Sequence, residues 1–191
     1  MSYSSYRSYS LTPIWVIMIA CFLVYIATIV SNQLILLLGL QAATFTERPW
    51  TIVTNLFVHG GLWHLLVNMV ALYFFGSYLT RLIGTRSSLI IYFLGGILGN
   101  VLFMLLASPF VVVIGASGAI FALGGTLAVL RPKLQVFVFP IPVPLPLWAA
   151  VIGGFFVIAL FSHVAWQAHL GGLVFGLIAG FLLRNRVRSF F

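Results

Sequence analysis

The chain is 191 residues long, 63% hydrophobic and 5% charged, with nine basic residues against one acid and a net charge of +8. A soluble domain carries roughly 25% charged residues, so this chain has too little polar surface to cover a globule in water, and its solvent has to be the bilayer. The basic residues are scattered between apolar runs, which reads as a set of topology signals and argues against a nucleic-acid partner.

The first apolar stretch, Leu11 to Val30, exceeds the roughly 7–15 residues of a secretory h-region, and no small-x-small cleavage site follows it. It reads as a retained membrane helix. A spanning helix needs about 20 apolar residues, and charges and turn residues divide the chain into six candidates: about 13–38, 62–80, 88–107, 117–130, 147–162 and 167–183. The breaks fall at Glu47-Arg48-Pro49, Arg81 to Arg86, Ser108-Pro109, Arg131-Pro132-Lys133 and Ser162-His163. The alternating prolines of FPIPVPLP (139–146) remove backbone donors and predict an extended connector before helix 5. The lone cysteine, Cys21, excludes an intramolecular disulfide. The expected organisation is an all-α membrane protein with one six-helix domain over 13–184. Short cytoplasmic tails, 1–12 and 185–191, flank it, and no soluble second domain is expected.

Orientation follows from lysine and arginine in the short loops. With the N-terminus in the cytoplasm, Arg7, Arg81, Arg86, Arg131, Lys133, Arg184, Arg186 and Arg188 are all inside and only Arg48 is outside. This predicts a multi-pass protein of the cell membrane with both termini cytoplasmic. Each even-numbered helix then runs inward and ends at an arginine.

Polar groups in hydrocarbon need a partner or a watery cavity. Measured from the arginine that closes each even helix, Ser117 lies 14 residues before Arg131 and His169 lies 15 before Arg184. His64 and Asn68 lie 17 and 13 residues before Arg81. At about 1.5 Å per residue all four fall within about 6 Å of one level. Helix 4 is also too short, roughly 22 Å against a core of about 30 Å. Its N-terminus therefore starts below the outer surface, and SPFVVVIGA descends to it as non-helical backbone, with Gly115 free to take positive φ and Gly118 admitting a neighbour. Ser117 then opens a helix, where free N–H groups and the dipole favour an oxyanion. In helix 6, Ala168, Gly172, Gly176 and Gly180 form a small-xxx-small face that permits close contact and can bring His169 to the serine. His64 and Asn68, four apart, share a helix face as hydrogen-bond donors.

Each of these features alone has a plain structural reading. Serine and glycine pack membrane helices, and a membrane histidine, as for His59 and His163, serves as a hydrogen-bond partner, a relay member or a loop rim. The set is what points to chemistry. With no aspartate and one glutamate, Glu47, in the first outside loop, a Ser-His-Asp triad and a paired-aspartate mechanism are both excluded, leaving a Ser-His dyad. HGGLWH lacks the glutamate of a zinc-protease helix, and no metal or cofactor is expected. Proton-coupled transport usually employs membrane carboxylates, which this chain lacks.

Three motifs carry a resemblance: HGGLWHLLVNM (59–69), GASG (115–118) and AHLGGLVFG (168–176). In order, spacing and placement the chain resembles the rhomboid family of intramembrane serine proteases, in its minimal six-helix form, over about residues 13–184. The resemblance implies a Ser117–His169 dyad, with the Ser117 backbone N–H, His64 and Asn68 binding the oxyanion. It implies cleavage of single-pass membrane proteins near the outer end of their span, often after a small residue, at a site open to the outer side. It also assigns Phe121 to the position where a tyrosine often stacks on the histidine, and helix 5, with Phe155 and Phe156, to a lateral gate. Thr80 stands where the family often has a glutamate, a change that bears on how helix 2 is anchored. The alternative is a catalytically inactive rhomboid-like membrane binding protein, and a small transporter using the polar cavity is a third.

Overall fold

The computed structural model describes residues 9–138, 141–161 and 165–188. Among these, four helices are long and apolar enough to cross a membrane: Thr12–Val30, Leu62–Ile83, Thr85–Leu106 and Trp166–Asn185. Two shorter apolar helices, Ser117–Leu130 and Leu147–Leu160, complete a helical membrane bundle.

The first span is shorter than its sequence suggests. Helix α1 covers Thr12–Val30 and stops at Ser31, which turns extended; a separate α2 covers Gln33–Leu38. The polar pair Ser31-Asn32, poorer helix formers than the residues around them, interrupts an otherwise continuous apolar run at this point. The orphan carbonyls at the end of α2 are then taken up from the first loop. Arg48 donates to Leu36 O at 3.0 Å, Trp50 to Leu37 O at 3.1 Å and Thr54 to Leu38 O at 2.8 Å. That loop contains strand β1 (Leu40–Gln41), helix α3 (Thr51–Thr54) and a 3-10 turn, Asn55–Phe57.

The second span is one rod in three parts: α4 (Leu62–Ala71), a π turn (Leu72–Gly76) and α5 (Ser77–Ile83). Thr80, where a glutamate was expected from the resemblance, is buried, and the rod continues past it to a Gly84 whose φ of +88° turns the chain into α6 (Thr85–Leu106).

Between α6 and the next helix the chain descends as strand β2 (Val112–Val113), paired antiparallel with β1 so that Leu40 faces Val113 and Gln41 faces Val112. The expected non-helical entry is therefore a short ladder, flanked by Ala43 N–H donating to Pro109 O and Gly115 N–H donating to Asn55 O, each at 2.9 Å. Gly115 has φ +118° and turns the chain into α7, which covers Ser117–Leu130. This matches the sequence expectation, as do a fifth helix, α8 (Leu147–Phe161), and a sixth, α9 (Trp166–Arg188). The proline segment lies partly outside the described residues, which exclude Phe139 and Pro140; its flanks pair as strands β3 (Gln135–Val136) and β4 (Leu145–Pro146). Ser162 and His163 also fall outside the described residues.

Helix α7 is the centre of the bundle. Eleven of its fourteen residues are buried, and it packs most extensively on α9, then on α6. Small residues make this possible: a Cβ on Gly172 would overlap Gly118 O, and one on Gly176 would overlap Ala122 O. Gly180 continues the row, 2.8 Å from Thr126 O by the same measure. Thr126 adds a hydrogen bond across the seam, its hydroxyl donating to Gly176 O at 3.0 Å.

Candidate active site

Ser117 is the first residue of α7, and His169 lies one turn into α9. The close α7–α9 seam sets their separation: Ser117 Oγ is 2.6 Å from His169 Nε2, a short hydrogen bond across 52 positions of sequence. Gly118, next to the serine, lies against Ala168, next to the histidine; a Cβ there would be 3.1 Å from Ala168 O. His169 is buried, with its Nδ1 unpartnered among the described residues. The Phe121 ring, one turn along α7, lies 5.0 Å from the imidazole at 35°, a tilted stack. Phe155 meets Phe121 edge-on at 6.0 Å and Phe156 at 5.4 Å, so an aromatic row joins α7 to α8.

His64 comes to the same place from α4. The point that a Cβ on Gly115 would occupy is 2.8 Å from His64 Nε2 and 3.7 Å from Ser117 Oγ. The missing side chain of Gly115 thus opens a gap between the imidazole and the hydroxyl. Gly60 N–H donates to His64 Nδ1 at 3.4 Å, which leaves the proton of a neutral ring on Nε2, pointing at that gap. Asn68 is buried on the same helix and donates from Nδ2 to His64 O at 2.7 Å. That bond orients its amide and leaves a second N–H.

Of the roles expected for His59, its place fits a buried hydrogen-bond partner rather than a loop rim: it is 1% exposed and edge-on to His64 with ring centroids 5.1 Å apart. Its Nδ1 lies 3.3 Å from Phe57 O, while Nε2 is buried without a partner among the described residues. Burial first, and the nearby His64 second, pull its pKa down to about 4.

The sequence reading missed two buried amides, Asn55 and Asn100. They pair reciprocally, Asn55 Nδ2 donating to Asn100 Oδ1 at 3.0 Å and Asn100 Nδ2 to Asn55 Oδ1 at 2.8 Å. A signal existed, since Asn100 interrupts an apolar span and intramembrane polar groups mark sites. Distance from a closing arginine, however, addresses only the even-numbered spans, and Asn100 lies on α6.

Fold and site together define a multi-pass helical membrane protein with a serine–histidine pair in its interior. The Rhomboid domain family matches residues 46–186, and the chain belongs to the rhomboid family. Members are typically intramembrane serine proteases that act on transmembrane substrates within the bilayer, though some are inactive. The chain is 32% identical over 150 residues to Rhomboid protein 1, mitochondrial, of Saccharomyces cerevisiae, covering 73% of this chain and 43% of that one. It is 36% identical over 99 residues to Rhomboid-like protease 3 of Toxoplasma gondii, covering 51% of this chain and 37% of that one. It is also 36% identical over 90 residues to Inactive RHOMBOID-like protein 8 of Arabidopsis thaliana, covering 47% and 25%. The matched region is thus less than half the length of each of these three relatives.

Proposed function

We propose that this chain is an intramembrane serine endopeptidase that cleaves single-pass transmembrane proteins near the outer end of their span with a Ser117–His169 dyad. The observation that carries the reading is the 2.6 Å contact between Ser117 Oγ and His169 Nε2. Ser117 Oγ attacks the scissile carbonyl carbon and its proton passes to His169 Nε2. The negative charge that forms on the carbonyl oxygen is held by the Ser117 backbone N–H at the start of α7, by His64 Nε2–H and by the free N–H of Asn68. As the tetrahedral intermediate collapses, the C–N bond breaks and His169 returns the proton to the leaving amine. Water then attacks the acyl-enzyme with His169 again as base. Phe121 holds the imidazole plane, and Gly115 keeps the oxyanion gap open.

The bundle over 13–184 is the working unit in this reading, with both tails cytoplasmic and the site opening to the outer side of a cell membrane. Helix α8 is the side on which substrate enters from lipid: Phe156 is exposed and Phe155, buried, connects it to Phe121.

The test is reconstitution in vesicles with a fluorescent single-span substrate, alongside labelling by a fluorophosphonate probe. Turnover and labelling are both expected to vanish in Ser117→Ala and in His169→Ala. Equal cleavage by wild type and Ser117→Ala would sink the proposal. The likeness to an inactive relative keeps the non-catalytic binding protein as the second reading; folded wild-type protein that never labels would favour it.

A further inference from the structure

Asn55 and Asn100 are 0% and 2% exposed, and a primary amide buried at this depth needs every donor and acceptor matched. The reciprocal pair gives both amide nitrogens and both amide oxygens a partner, and the second N–H of Asn100 donates to Ile52 O at 2.8 Å. Asn55 carries a second connection through its main chain, because its carbonyl accepts the Gly115 N–H at 2.9 Å. That peptide is the one with φ +118°, two residues before Ser117, whose missing Cβ leaves the gap below His64. On the other side, Asn100 is preceded by Gly99, and a Cβ on Gly99 would overlap Ala168 O, the residue before His169. Gly171 meets Gly99 from α9, where a Cβ would lie 2.8 Å from the Gly99 Cα. One end of the amide pair therefore holds the turn that shapes the serine. The other end sits on the helix against which the histidine-bearing turn of α9 is packed.

We infer that Asn55 and Asn100 form a positioning clasp that fixes the Gly115 turn relative to α9 and so sets the separation of Ser117 Oγ and His169 Nε2. The inference rests on the serine-protease reading for its effect on rate, though the clasp itself stands on geometry. Neither residue reaches the reacting atoms; both act through Gly115 and through Gly99 and Ala168.

The decisive comparison is Asn55→Leu, Asn100→Leu and the double variant, in the full-length protein in detergent. Each single change strands one buried amide and lowers the melting temperature. The double change strands no side-chain amide, leaving only Ile52 O without the donor it had in Asn100, and restores part of it. Fluorophosphonate labelling of Ser117 in the double variant is expected to stay about ten- to a hundredfold slower than wild type, because small misplacements at a reacting centre cost that much. Hydrogen exchange at the Gly115 N–H is expected to speed up in the same variants. A folded double variant with wild-type labelling and wild-type Gly115 exchange overturns the clasp. Should the double variant fail to fold, Asn100→Ser, which keeps a hydroxyl in the gap, decides by the same two readouts. If the wild type itself does not label, the serine reading fails, and Gly115 exchange alone judges the clasp.

Discussion

Gly172 and Gly118 approach so closely that a methyl group on Gly172 would overlap the Gly118 carbonyl oxygen. The seam they form is what brings His169 to Ser117. Gly172→Ala must therefore push α9 away from α7 or shift its register. Overpacking of this kind costs about 1–3 kcal/mol, and we expect a lower melting temperature together with a loss of fluorophosphonate labelling. Gly154→Ala on α8 is the control, since a Cβ there meets nothing within 4 Å. Its melting temperature should hold or rise slightly, as Ala is the better helix former by about 1 kcal/mol.

Gly115→Ala combines two penalties, a φ of +118° that L-residues avoid and a Cβ 2.8 Å from His64 Nε2. Backbone strain alone is worth roughly 1–3 kcal/mol. The methyl also fills the gap proposed for the oxyanion, so kcat should fall further than the stability change explains. Gly61→Ala, where a Cβ meets nothing within 4 Å, should leave both quantities close to wild type.

Phe121 gives a graded test of the stacking on His169. A ring contact of this kind contributes about 0.5–1.5 kcal/mol, which corresponds to at most about tenfold in rate. Phe121→Ala should lower kcat by that order with KM little changed. Phe121→Tyr keeps the ring and should retain most of the activity, and equal rates for Ala and Phe at this position would show that the stack is idle.

His59 sets a pH dependence of stability. Its folded pKa is about 4, below the usual histidine value near 6.5. Between those two values the unfolded chain holds a proton that the folded one does not, so stability falls as the pH drops from about 6.5 towards 4. The loss is on the order of 2–3 kcal/mol, at about 1.4 kcal/mol per pH unit. His59→Phe should flatten this slope in melting temperatures recorded from pH 7 to pH 4.5. An unchanged slope would mean that His59 is not the group being titrated.

Much of this molecule is legible in its residue order, for reasons that differ by element. Helix α7 matches expectation at both ends because it stops at Arg131 and Gly115 opens it with a turn. Counting inward from arginines correctly placed Ser117 and His169 at one depth. It gave no angular information, and only the Ala168, Gly172, Gly176, Gly180 row supplied a facing direction. The other face of the same helix was invisible: Gly171 packs on Gly99, but adjacent glycines carry no periodic signal of their own. The break after Val30 was overrun because a single Ser-Asn pair barely lowers the apolar content of its window. Asn55 lies in an irregular segment where polar residues are ordinary, so nothing in its surroundings distinguished it.

The π turn at Leu72–Gly76 gives the second span a tolerance that its neighbours lack. A π turn holds one residue more than the α turn it replaces. At its end Gly76 faces α1, where a Cβ would lie 3.0 Å from Ile14 Cδ1; ahead of it on the same rod, His64 lies against Gly115 just before α7. Removing one residue from within Leu72–Gly76 returns the rod to ordinary α geometry with both faces still aimed as they are. Removing one between His64 and Asn68 swings one against the other by about 100°. A change in chain length that this helix can absorb therefore has one address, and it lies some distance from the chemistry.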